Sequence, residues 1–315
     1  MDKVKIKGKT NVTAVVVTYN RKALLEKVIR SLLTQTVEIG CIIIVNNGST
    51  DGTGEWLTAE YGNDSRFMII TQENVGGSGG FYRGIKEAIA FDTDWIWCMD
   101  DDVFPTSKCL EKLINHYTSE DRTGILCPKR LMDGRLFISE TRKQNLSNPF
   151  KYIYEDCLKE ELLNNNETVE IEGMAFEGPL IRREVVESIG LPNKDLFILY
   201  DDTEYSYRAI LAGYKVKVVS SAVMEKYNHQ STLTKRDNLV KNKWKLKYHF
   251  RNTAYFCHQY GKNLFFRYFG TLPFVIDLYG AITYNFFKGH KYSFSDYFMI
   301  LKMIRRGIKG KLGKM

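Results

Sequence analysis

The sequence is short of the patterns that mark secreted, disulfide-bonded and membrane-spanning proteins. Its six cysteines are scattered and share no paired metal-ligand spacing, so we expect buried, reduced thiols in a cytosolic protein. The first residues lack the apolar segment that a secretory signal needs. The longest apolar stretch, 265–287, is interrupted by Arg267 and Asp277, and so falls short of the roughly 18 uncharged residues of a membrane span. Export and a transmembrane helix are therefore not expected.

Two familiar phosphate-binding motifs are missing as well. Glycines are crowded at 76–80, but no Gly-Lys-Ser or Gly-Lys-Thr follows them, which excludes a P-loop. The first predicted strand is followed by Thr-Tyr-Asn-Arg at 18–21, where a dinucleotide fingerprint would have glycines. Any nucleotide site in this chain must therefore be of another kind.

What the chain does have is a globular composition with a basic, aromatic end. Its 315 residues are 44% hydrophobic and 26% charged, which suits one large domain or a core domain with an extension. After residue 287, eight basic residues stand against Asp296 alone. Bulky apolar residues are interleaved with them, namely Tyr297, Phe298, Ile300, Leu301, Met303 and Ile304. This pattern favours an amphipathic helix on an anionic membrane surface, with nucleic-acid binding, a subunit contact or a solvated helix as alternatives.

Four apolar runs predict the buried strands of a largely parallel sheet. They cover 12–18, 41–45, 67–71 and 95–99, and helical patterns at 24–33 and 84–91 alternate with them. Each run ends in polar, turn-forming residues, at 18–21, 46–53, 73–80 and 100–102. Ligands of such sheets bind beyond the carboxyl ends of the strands. The sequence therefore predicts one shared nucleotide crevice.

Three adjacent carboxylates, Asp100, Asp101 and Asp102, close the fourth run. Such anions repel one another, and a divalent cation on oxygen ligands compensates them. Because side chains alternate along an extended chain, Asp100 and Asp102 point the same way and Asp101 points elsewhere. An acidic turn after a strand is the alternative, and the neighbouring polar strand ends favour the metal.

The glycine-rich segment 73–80 is predicted to be a loop in front of a helix. Its four glycines allow positive φ and let backbone N–H groups approach a diphosphate or a sugar closely. A flexible turn is the alternative explanation, but the position at a strand end favours ligand binding.

Together these motifs resemble the inverting, metal-dependent nucleotide-sugar glycosyltransferases of the large family with the GT-A fold. The resemblance covers about 12–230 and rests on Val-Val-Thr-Tyr-Asn-Arg at 16–21, Asn-Asn-Gly-Ser-Thr-Asp-Gly-Thr at 46–53 and Met-Asp-Asp-Asp at 99–102. The segment 73–81, followed by the triple Asp, is similar to the galactofuranosyltransferase and rhamnosyltransferase branch of bacterial polysaccharide enzymes. It implies an α/β fold with a mixed, mostly parallel sheet flanked by helices and a helical C-terminal extension.

The resemblance also implies roles for particular residues. The residues expected to bind the nucleotide sugar are Thr18, Asn20, Arg21, Asp51, Asn74, Gly76, Gly77, Ser78, Gly79, Asp100 and Asp101. The residues expected to hold Mn²⁺ or Mg²⁺ are Asp100, Asp102 and His229, although a lone histidine is more often structural. Asp202, in a second apolar run that ends in carboxylates, is the expected general base, with helix capping as its alternative. Acceptor binding is expected from Phe176, Glu177, Asp201 and Glu204.

From these expectations follow a domain plan and a function. A catalytic domain at 1–235 would divide into a nucleotide-sugar half at about 10–130 and an acceptor half at about 131–235. A helical, basic and aromatic region at 236–315 would associate with the cytosolic face of the plasma membrane or with another subunit. The expected reaction moves galactofuranose from UDP-galactofuranose onto a lipid-linked or polysaccharide acceptor in bacterial cell-surface glycan synthesis. The alternatives are a rhamnosyltransferase using dTDP-rhamnose and a sugar-phosphate nucleotidyltransferase. Nucleic-acid binding is not expected, because it gives no reason for the triple Asp.

Overall fold

The computed structural model describes residues 11–229, 242–287 and 293–315, and these fall into two units. The first unit contains the described residues up to Arg142 together with Cys157–Lys194 and Asp202–Asn228. The second contains Lys143–Asp156, Asp195–Asp201 and the described residues from His229 onward. The domain boundary expected near residue 235 stays a prediction.

A mixed sheet forms the centre of the first unit. Its strands are β1 (Val12–Thr18), β2 (Cys41–Asn46), β3 (Phe67–Thr71), β4 (Trp95–Asp100), β5 (Val103–Pro105), β6 (Thr123–Met132), β7 (Arg135–Leu136), β10 (Thr168–Glu170), β11 (Leu180–Arg182) and β12 (Lys215–Lys226). The main path runs β10-β12-β6-β11-β4-β1-β2-β3, with β5 paired to β12 and β7 to β6. Strands β3, β2, β1 and β4 are parallel, as are β6 and β12, whereas β11 runs antiparallel between them. Strands β8 (Thr141–Gln144) and β9 (Tyr154–Cys157) form a separate pair.

Helices connect the strands and follow the sheet. They are α1 (Lys22–Leu33), α2 (Thr53–Tyr61), α3 (Gly76–Ala88), α4 (Cys109–Asn115), α5 (Glu160–Asn165), α6 (Arg183–Ile189), α7 (Asp201–Leu211), α8 (Lys245–Tyr260), α9 (Leu264–Phe269), α10 (Leu272–Phe287) and α11 (Phe294–Ile308), with a 3-10 turn at Lys194–Leu196. The predicted fold class, an α/β fold with a mostly parallel sheet flanked by helices and a helical C-terminal part, is confirmed.

The β-branched composition of β1 explains why it lies at the centre of the sheet. All seven of its residues are buried, and their side chains alternate between two hydrophobic cores. Val15 and Val17 face one core, while Ala14 and Val16 face the other. Both faces of the sheet are therefore covered, and its polar strand ends are what remains for binding.

Two predicted element boundaries were wrong. Helix α3 begins at Gly76, so most of the predicted glycine loop is helical. The physical reason is close packing: a Cβ on Gly80 would lie 2.5 Å from Val17 Cγ1, and a Cβ on Gly84 would lie 2.3 Å from Val15 Cγ1. The pattern at 205–213 predicts a helix that starts at Tyr205, whereas helix α7 begins at Asp201, so the predicted catalytic carboxylates lie in its first turn.

The thiols are free and differ sharply in accessibility. Cys98, Cys109, Cys127 and Cys257 are buried, and burial raises the pKa of each. Cys41 is half-buried, which raises its pKa as well. Cys157 is exposed.

In the second unit, α8 packs against α11 around an unusual buried cation. Arg251 donates to the carbonyl oxygens of Leu196, at 2.9 Å, and Gly313. The adjacent Asn252 donates to Leu196, Ile198 and Leu199 at 2.9–3.0 Å. These bonds fix the chain at 195–201 to α8 by satisfying carbonyl groups that would otherwise be buried unpaired.

Helix α11 divides into a packed face and an exposed face. Ile300 and Met303 pack in a small core with Phe250 and Ile282, so two of the apolar residues assigned to a membrane face from the sequence are core residues. The exposed side chains follow one stripe that is apolar at its start and basic at its end, comprising Phe294, Phe298, Leu301, Lys302, Arg305 and Lys309. Among the described helices, none has both the length and the apolarity that a membrane span requires.

Candidate active site

Asp101 joins the ends of β1 and β4. Its carboxylate accepts hydrogen bonds from Thr18 Oγ1 at 2.7 Å, from the Tyr19 N–H at 3.3 Å and from Arg21 Nη1 at 2.8 Å. Burial raises the pKa of Asp101, and the charge and hydrogen bond of Arg21 partly offset that rise. The predicted alternation is thus observed, with Asp101 turned away from its two neighbours and used to fix the strand ends.

A second group of side chains, the three-carboxylate site, consists of Asp100, Asp102 and Glu177. One oxygen from each lies within 4.8 Å of the others, and this is the group suited to a metal among the described residues. Glu177 reaches it because β11 runs antiparallel to β4 with Leu180 opposite Trp97, and the chain just before β11 stays bonded to β4, since the Gly178 N–H donates to the Cys98 carbonyl at 2.9 Å. Glu177, which precedes Gly178, therefore lies at the carboxyl end of β4 near Asp100.

Three cations contact these carboxylates. Lys226 Nζ lies 3.1 Å from Asp102 Oδ1 and 2.8 Å from Glu177 Oε1, and Arg21 Nη1 lies 3.2 Å from Asp102 Oδ2. The buried Arg130 pairs with Glu177 and Glu140.

Carboxylates outnumber cations among the described residues of this cluster. Counting Asp101 and Glu140, five carboxylates lie with three described cations. Burial and the neighbouring charges of Asp102 and Glu177 hold the pKa of Asp100 well above its ordinary range. Three carboxylates that each offer an oxygen ligand at this spacing suit a divalent cation such as Mn²⁺ or Mg²⁺.

His229, the third predicted metal ligand, is not in this group. It is half-buried and belongs to the second unit. The metal role of His229 stays a prediction. Glu177, which was predicted to bind the acceptor, lies instead beside the predicted metal ligands Asp100 and Asp102. One signal for this position could be read from the sequence, a lone carboxylate directly before Gly-Pro, but the strand register could not.

Asn20 and Asp51 hold two strand-end loops together. The Asn20 N–H donates to Ser49 Oγ at 2.9 Å, and its side-chain oxygen accepts from the Thr50 N–H at 2.7 Å. Asn20 has a φ of +53°, a conformation that asparagine tolerates well. Burial acts to raise the pKa of Asp51, but hydrogen bonds from Thr53 and the Lys22 N–H outweigh it and lower the pKa. Both residues are thus positioned at the predicted crevice.

The start of α3 is anchored by Asn47, which sequence reasoning left without a role. Its buried amide donates to the Gly76 carbonyl at 2.9 Å and accepts from Gln72 and the Val75 N–H. Asn74 accepts from the Gly76 N–H at 3.0 Å. Gly76 has a φ of +81°, and a Cβ on Gly77 would meet nothing within 4 Å.

Ser78 and Gly79, unlike Gly77, are closely surrounded by other protein atoms. The Ser78 hydroxyl is buried and has no hydrogen-bond partner among the described residues. A Cβ on Gly79 would lie 2.5 Å from Val75 Cγ2, so this glycine serves local packing. Of the predicted glycines, Gly77 therefore has the backbone that is most open to a ligand.

The predicted acceptor residues lie in different environments. Phe176 is only 3% exposed and stacks on Phe81 with ring centroids 4.5 Å apart, so it is a core residue without a free ring face for a sugar. Glu204 is buried and pairs with Arg208 at 2.9 Å. Asp201 is buried and belongs to the second unit. Asp202, in contrast, is half-buried in the first turn of α7, where the Thr203 N–H donates to it at 2.7 Å.

Comparison with known sequences identifies relatives of this chain. The profile of the family described as Glycosyl transferase family 2 matches residues 13–190. Galactofuranosyltransferase GlfT1 of Mycobacterium tuberculosis (strain H37Rv) is 30% identical over 219 residues, which cover 64% of this chain and 66% of the relative. Galactofuranosyltransferase GlfT1 of Mycolicibacterium smegmatis is 26% identical over 217 residues, with the same two coverages. The alignments thus span just under two thirds of the length of these relatives.

Two solved structures are similar in fold. GalNAc-T7, crystallised with UDP, GalNAc and Mn²⁺, superposes with a TM-score of 0.56 at 14% identity, over 79% of this chain and 51% of that one. S. aureus TarS 1–349 in complex with UDP gives a TM-score of 0.52 at 14% identity, over 81% of this chain and 67% of that one. At these identities the likeness concerns the fold alone. The profile match, however, covers more than half of the chain and includes both Asp101 and the three-carboxylate site, and the chain therefore belongs to glycosyl transferase family 2, as its motifs predicted.

Proposed function

We propose that this protein transfers a sugar from a nucleotide diphosphate donor to an acceptor hydroxyl, with inversion at the anomeric carbon. The observation that carries the proposal is the three-carboxylate site at the carboxyl ends of the parallel strands, where one oxygen from each of Asp100, Asp102 and Glu177 lies within 4.8 Å of the others. Asp100, Asp102 and Glu177 would hold Mn²⁺ or Mg²⁺. When bound, the metal offsets the charge of the departing nucleoside diphosphate.

Arg21 is suited to bind the diphosphate directly. Only its Nη1 bonds to carboxylates among the described residues, and its side chain is 40% exposed. The remaining guanidinium N–H groups can therefore donate to phosphate oxygens. Thr18 and Asp101 support it by fixing its position, and Asn20 with Asp51 would hold the nucleoside.

Asp202 is the proposed general base. Its half-buried carboxylate in the first turn of α7 can accept the proton of the acceptor hydroxyl as the new glycosidic bond forms. The same position also suits helix capping, since anions are favoured at helix N-termini. Turnover and thermal stability of Asp202→Asn separate the two roles, because loss of a base lowers turnover and loss of a cap lowers stability.

Galactofuranose is the proposed donor sugar, with UDP as its nucleotide. The support is that both GlfT1 relatives carry the name galactofuranosyltransferase and that the segment 73–81 resembles the same branch. A rhamnosyl donor with dTDP is the second candidate, because that branch includes rhamnosyltransferases.

A lipid-linked glycan on the inner face of the plasma membrane is the proposed acceptor. The exposed stripe of α11 supports this, since Phe294, Phe298 and Leu301 can enter the apolar boundary of a bilayer while Lys302 and Arg305 lie among anionic headgroups. Bound peripherally in this way, the protein would meet acceptors that cannot leave the membrane. The alternative is a homo-oligomer in which another subunit covers the same stripe of α11.

The decisive experiment combines purified protein, a synthetic lipid-linked acceptor and a panel of nucleotide sugars, read by product mass and linkage. We expect one donor to be used, with inversion and a requirement for divalent metal. Asp202→Asn should lower kcat by about 10²–10⁴-fold, because it removes the base, while UDP binding is retained. Asp102→Asn should abolish both metal binding and turnover.

Asp64→Asn is the matched control, because it removes a carboxylate from an exposed pair with Arg66 in the same unit. It should leave turnover unchanged. Full activity of Asp202→Asn would overturn the base assignment. Pyrophosphate release from a nucleoside triphosphate and a sugar phosphate would overturn the reaction class in favour of a nucleotidyltransferase.

A further inference from the structure

The backbone is strained in the segment 197–200, directly before α7. Phe197, Leu199 and Tyr200 have φ values of +66°, +68° and +70°, and they are half of the six non-glycine residues with positive φ among those that the structure describes. This region of backbone conformation is unfavourable for bulky side chains. Such residues persist in it only where their surroundings hold them, and they concentrate at functional sites. The segment therefore needs a support, and the support is a candidate for a functional role.

Asn252 of α8 holds the backbone of this segment. The residue is fully buried, and its side-chain nitrogen donates to the carbonyl oxygens of Leu196 at 3.0 Å and of Ile198 and Leu199 at 2.9 Å each. Its side-chain oxygen accepts from Arg251 Nε at 2.8 Å, which fixes the amide with its N–H groups towards the carbonyls. One buried side chain thus bonds to three carbonyl groups within four residues of strained chain.

Aromatic residues of the same helix hold the side chains of the segment. Phe197 stacks on Tyr248 with ring centroids 4.9 Å apart, and the Tyr200 ring lies 5.8 Å from that of Phe256. All of these residues belong to the second unit. Helix α8 therefore fixes both the carbonyl groups and the bulky side chains of 196–200, so the strained conformation is determined by one rigid element.

Asp202 follows the strained segment almost directly in the chain. Helix α7 begins at Asp201, the residue after Tyr200, and Asp202 is the second residue of its first turn. The backbone through 197–200 therefore sets the point at which that turn begins. Geometry matters strongly for such a group, because a misplacement of about 1 Å can cost on the order of 10²-fold in rate.

We propose that Asn252 is a positioning residue for Asp202. By bonding to the carbonyl groups at 196–199 it holds the strained segment in one conformation, and this conformation fixes the first turn of α7 that bears the base. The inference rests on the proposed function for the role of Asp202 itself. It gives the C-terminal helical part a share in the transfer reaction through the position of the base, in addition to any association with a membrane.

Kinetics of Asn252→Ala, alone and combined with Asp202→Asn, test this role on the full-length protein. We expect Asn252→Ala to lower kcat at least tenfold while KM for the nucleotide sugar and the affinity for UDP stay within twofold. Because the effect passes through Asp202, the same change should lower the remaining turnover of Asp202→Asn less than twofold. An equal loss in both backgrounds would overturn the positioning of Asp202. Asn252→Ser, which keeps one short donor, should lower kcat at least threefold and replaces the alanine variant if that variant does not fold.

Asn145→Ala is the matched control, because Asn145 makes the same kind of contact elsewhere in the second unit. Its buried side-chain nitrogen donates to the carbonyl oxygens of Asn148, Lys151 and Tyr152 at 2.7–3.3 Å. We expect its alanine variant to lose thermal stability as Asn252→Ala does, but to keep kcat within twofold of the wild type. Equal losses of kcat in the two variants would show that a general loss of stability is responsible, and would overturn the proposal.

Amide hydrogen exchange, read by mass spectrometry, tests the support of the segment without any sugar donor. Asn252→Ala should speed exchange at 196–201 at least tenfold and leave 145–152 unchanged, and Asn145→Ala should do the reverse. Unchanged exchange at 196–201 in Asn252→Ala would overturn the proposal whatever the turnover. Absence of sugar transfer by the wild type, or full activity of Asp202→Asn, would instead contradict the proposed function, so the two failures are distinguishable.

Discussion

At the scale of single residues, Lys226 occupies a position that a metal ion also needs. Its ammonium group contacts one oxygen of Asp102 and one of Glu177, and these carboxylates belong to the group that fits a divalent cation. Two positive centres cannot share those oxygens without strong repulsion. Lys226 therefore stabilises the two carboxylates when no metal is bound, and it competes with a metal ion for their oxygens.

Replacing this lysine should strengthen metal binding. We expect Lys226→Met to bind Mn²⁺ about tenfold more tightly than the wild type in the absence of nucleotide, because a competing charge is removed, and tenfold corresponds to about 1.4 kcal/mol. Electron paramagnetic resonance of free Mn²⁺ measures this directly. Lys215 lies on the same strand as Lys226 and makes an exposed pair with Glu170. Lys215→Met breaks that pair and should leave the Mn²⁺ affinity unchanged. Equal or weaker binding by Lys226→Met would contradict the competition.

Sequence reasoning reached part of this site. The opposite orientations of Asp100 and Asp101 follow from alternation along an extended chain, and that prediction is confirmed. The approach of Glu177 could not be predicted, because it depends on the antiparallel register of β11 against β4. The contacts of Lys226 and Arg130 with the carboxylates could not be predicted for the same reason, because strands that are distant in sequence bring these residues together.

At the scale of elements, α3 shows that its glycines serve two different purposes. Gly80 and Gly84 face β1 at distances that leave no room for a Cβ, so they allow the helix to lie close to the sheet. Gly77 faces open space at the start of the helix, beside the loop that Asn47 fixes. The first pair stabilises the fold, and the single open position remains available to a ligand.

A pair of alanine variants separates these purposes. Gly84→Ala should lower the free energy of unfolding by about 1–3 kcal/mol, because its Cβ would lie 2.3 Å from Val15 Cγ1. Gly77→Ala should leave stability unchanged or slightly raised, since alanine favours a helix, but it should weaken UDP binding at least fivefold. Denaturant unfolding and calorimetry with UDP measure the two effects. Wild-type UDP affinity in Gly77→Ala would contradict the proposed donor role of that backbone.

The elements were easier to predict than the use of their residues. The four strands were predicted to within one residue because long β-branched runs between turn signals have few alternatives. The start of α3 was wrong because glycine disfavours helices in isolation, and only the packing on β1 reverses that preference. Phe176 was assigned to a surface for a similar reason, since its stacking partner Phe81 is almost a hundred residues away.

At the scale of the whole molecule, one histidine should couple stability to pH. His249 packs against Phe274 and Tyr200, with ring centroids 5.2 and 6.0 Å apart, and desolvation lowers its pKa to about 4 from an ordinary value of 6.5. At pH values between these two pKa values, the imidazole is protonated in the unfolded chain and neutral in the folded chain. The stabilising contribution is complete above pH 6.5 and is lost as the pH falls towards 4.

His249→Phe should remove this dependence. Between pH 7.5 and pH 5 we expect the wild type to lose on the order of 1–2 kcal/mol more stability than the variant, as judged from thermal midpoints by circular dichroism. The comparison uses the slope with pH, so a constant offset from the new ring does not affect it. Parallel slopes for the two proteins would show that the imidazole is solvated in the folded state.

The helical character of the C-terminal part was readable from composition, whereas the segments that join it in the second unit were not. The basic and aromatic C-terminal part is helical as predicted. The second unit, however, also takes in 143–156 and 195–201, two segments inside the predicted catalytic domain. Arg251 and Asn252 explain one of these insertions, because they hold the backbone at 195–201 through hydrogen bonds that no local pattern reveals.

The uneven burial of the thiols has a practical consequence. Cys157 alone among the six is exposed, while the others are buried or half-buried with raised pKa values and so stay protonated and shielded near neutral pH. A maleimide dye should therefore attach at a single position in the unmodified chain. The protein thus carries its own attachment point for fluorescence or spin labels, without a cysteine-free background having to be engineered first.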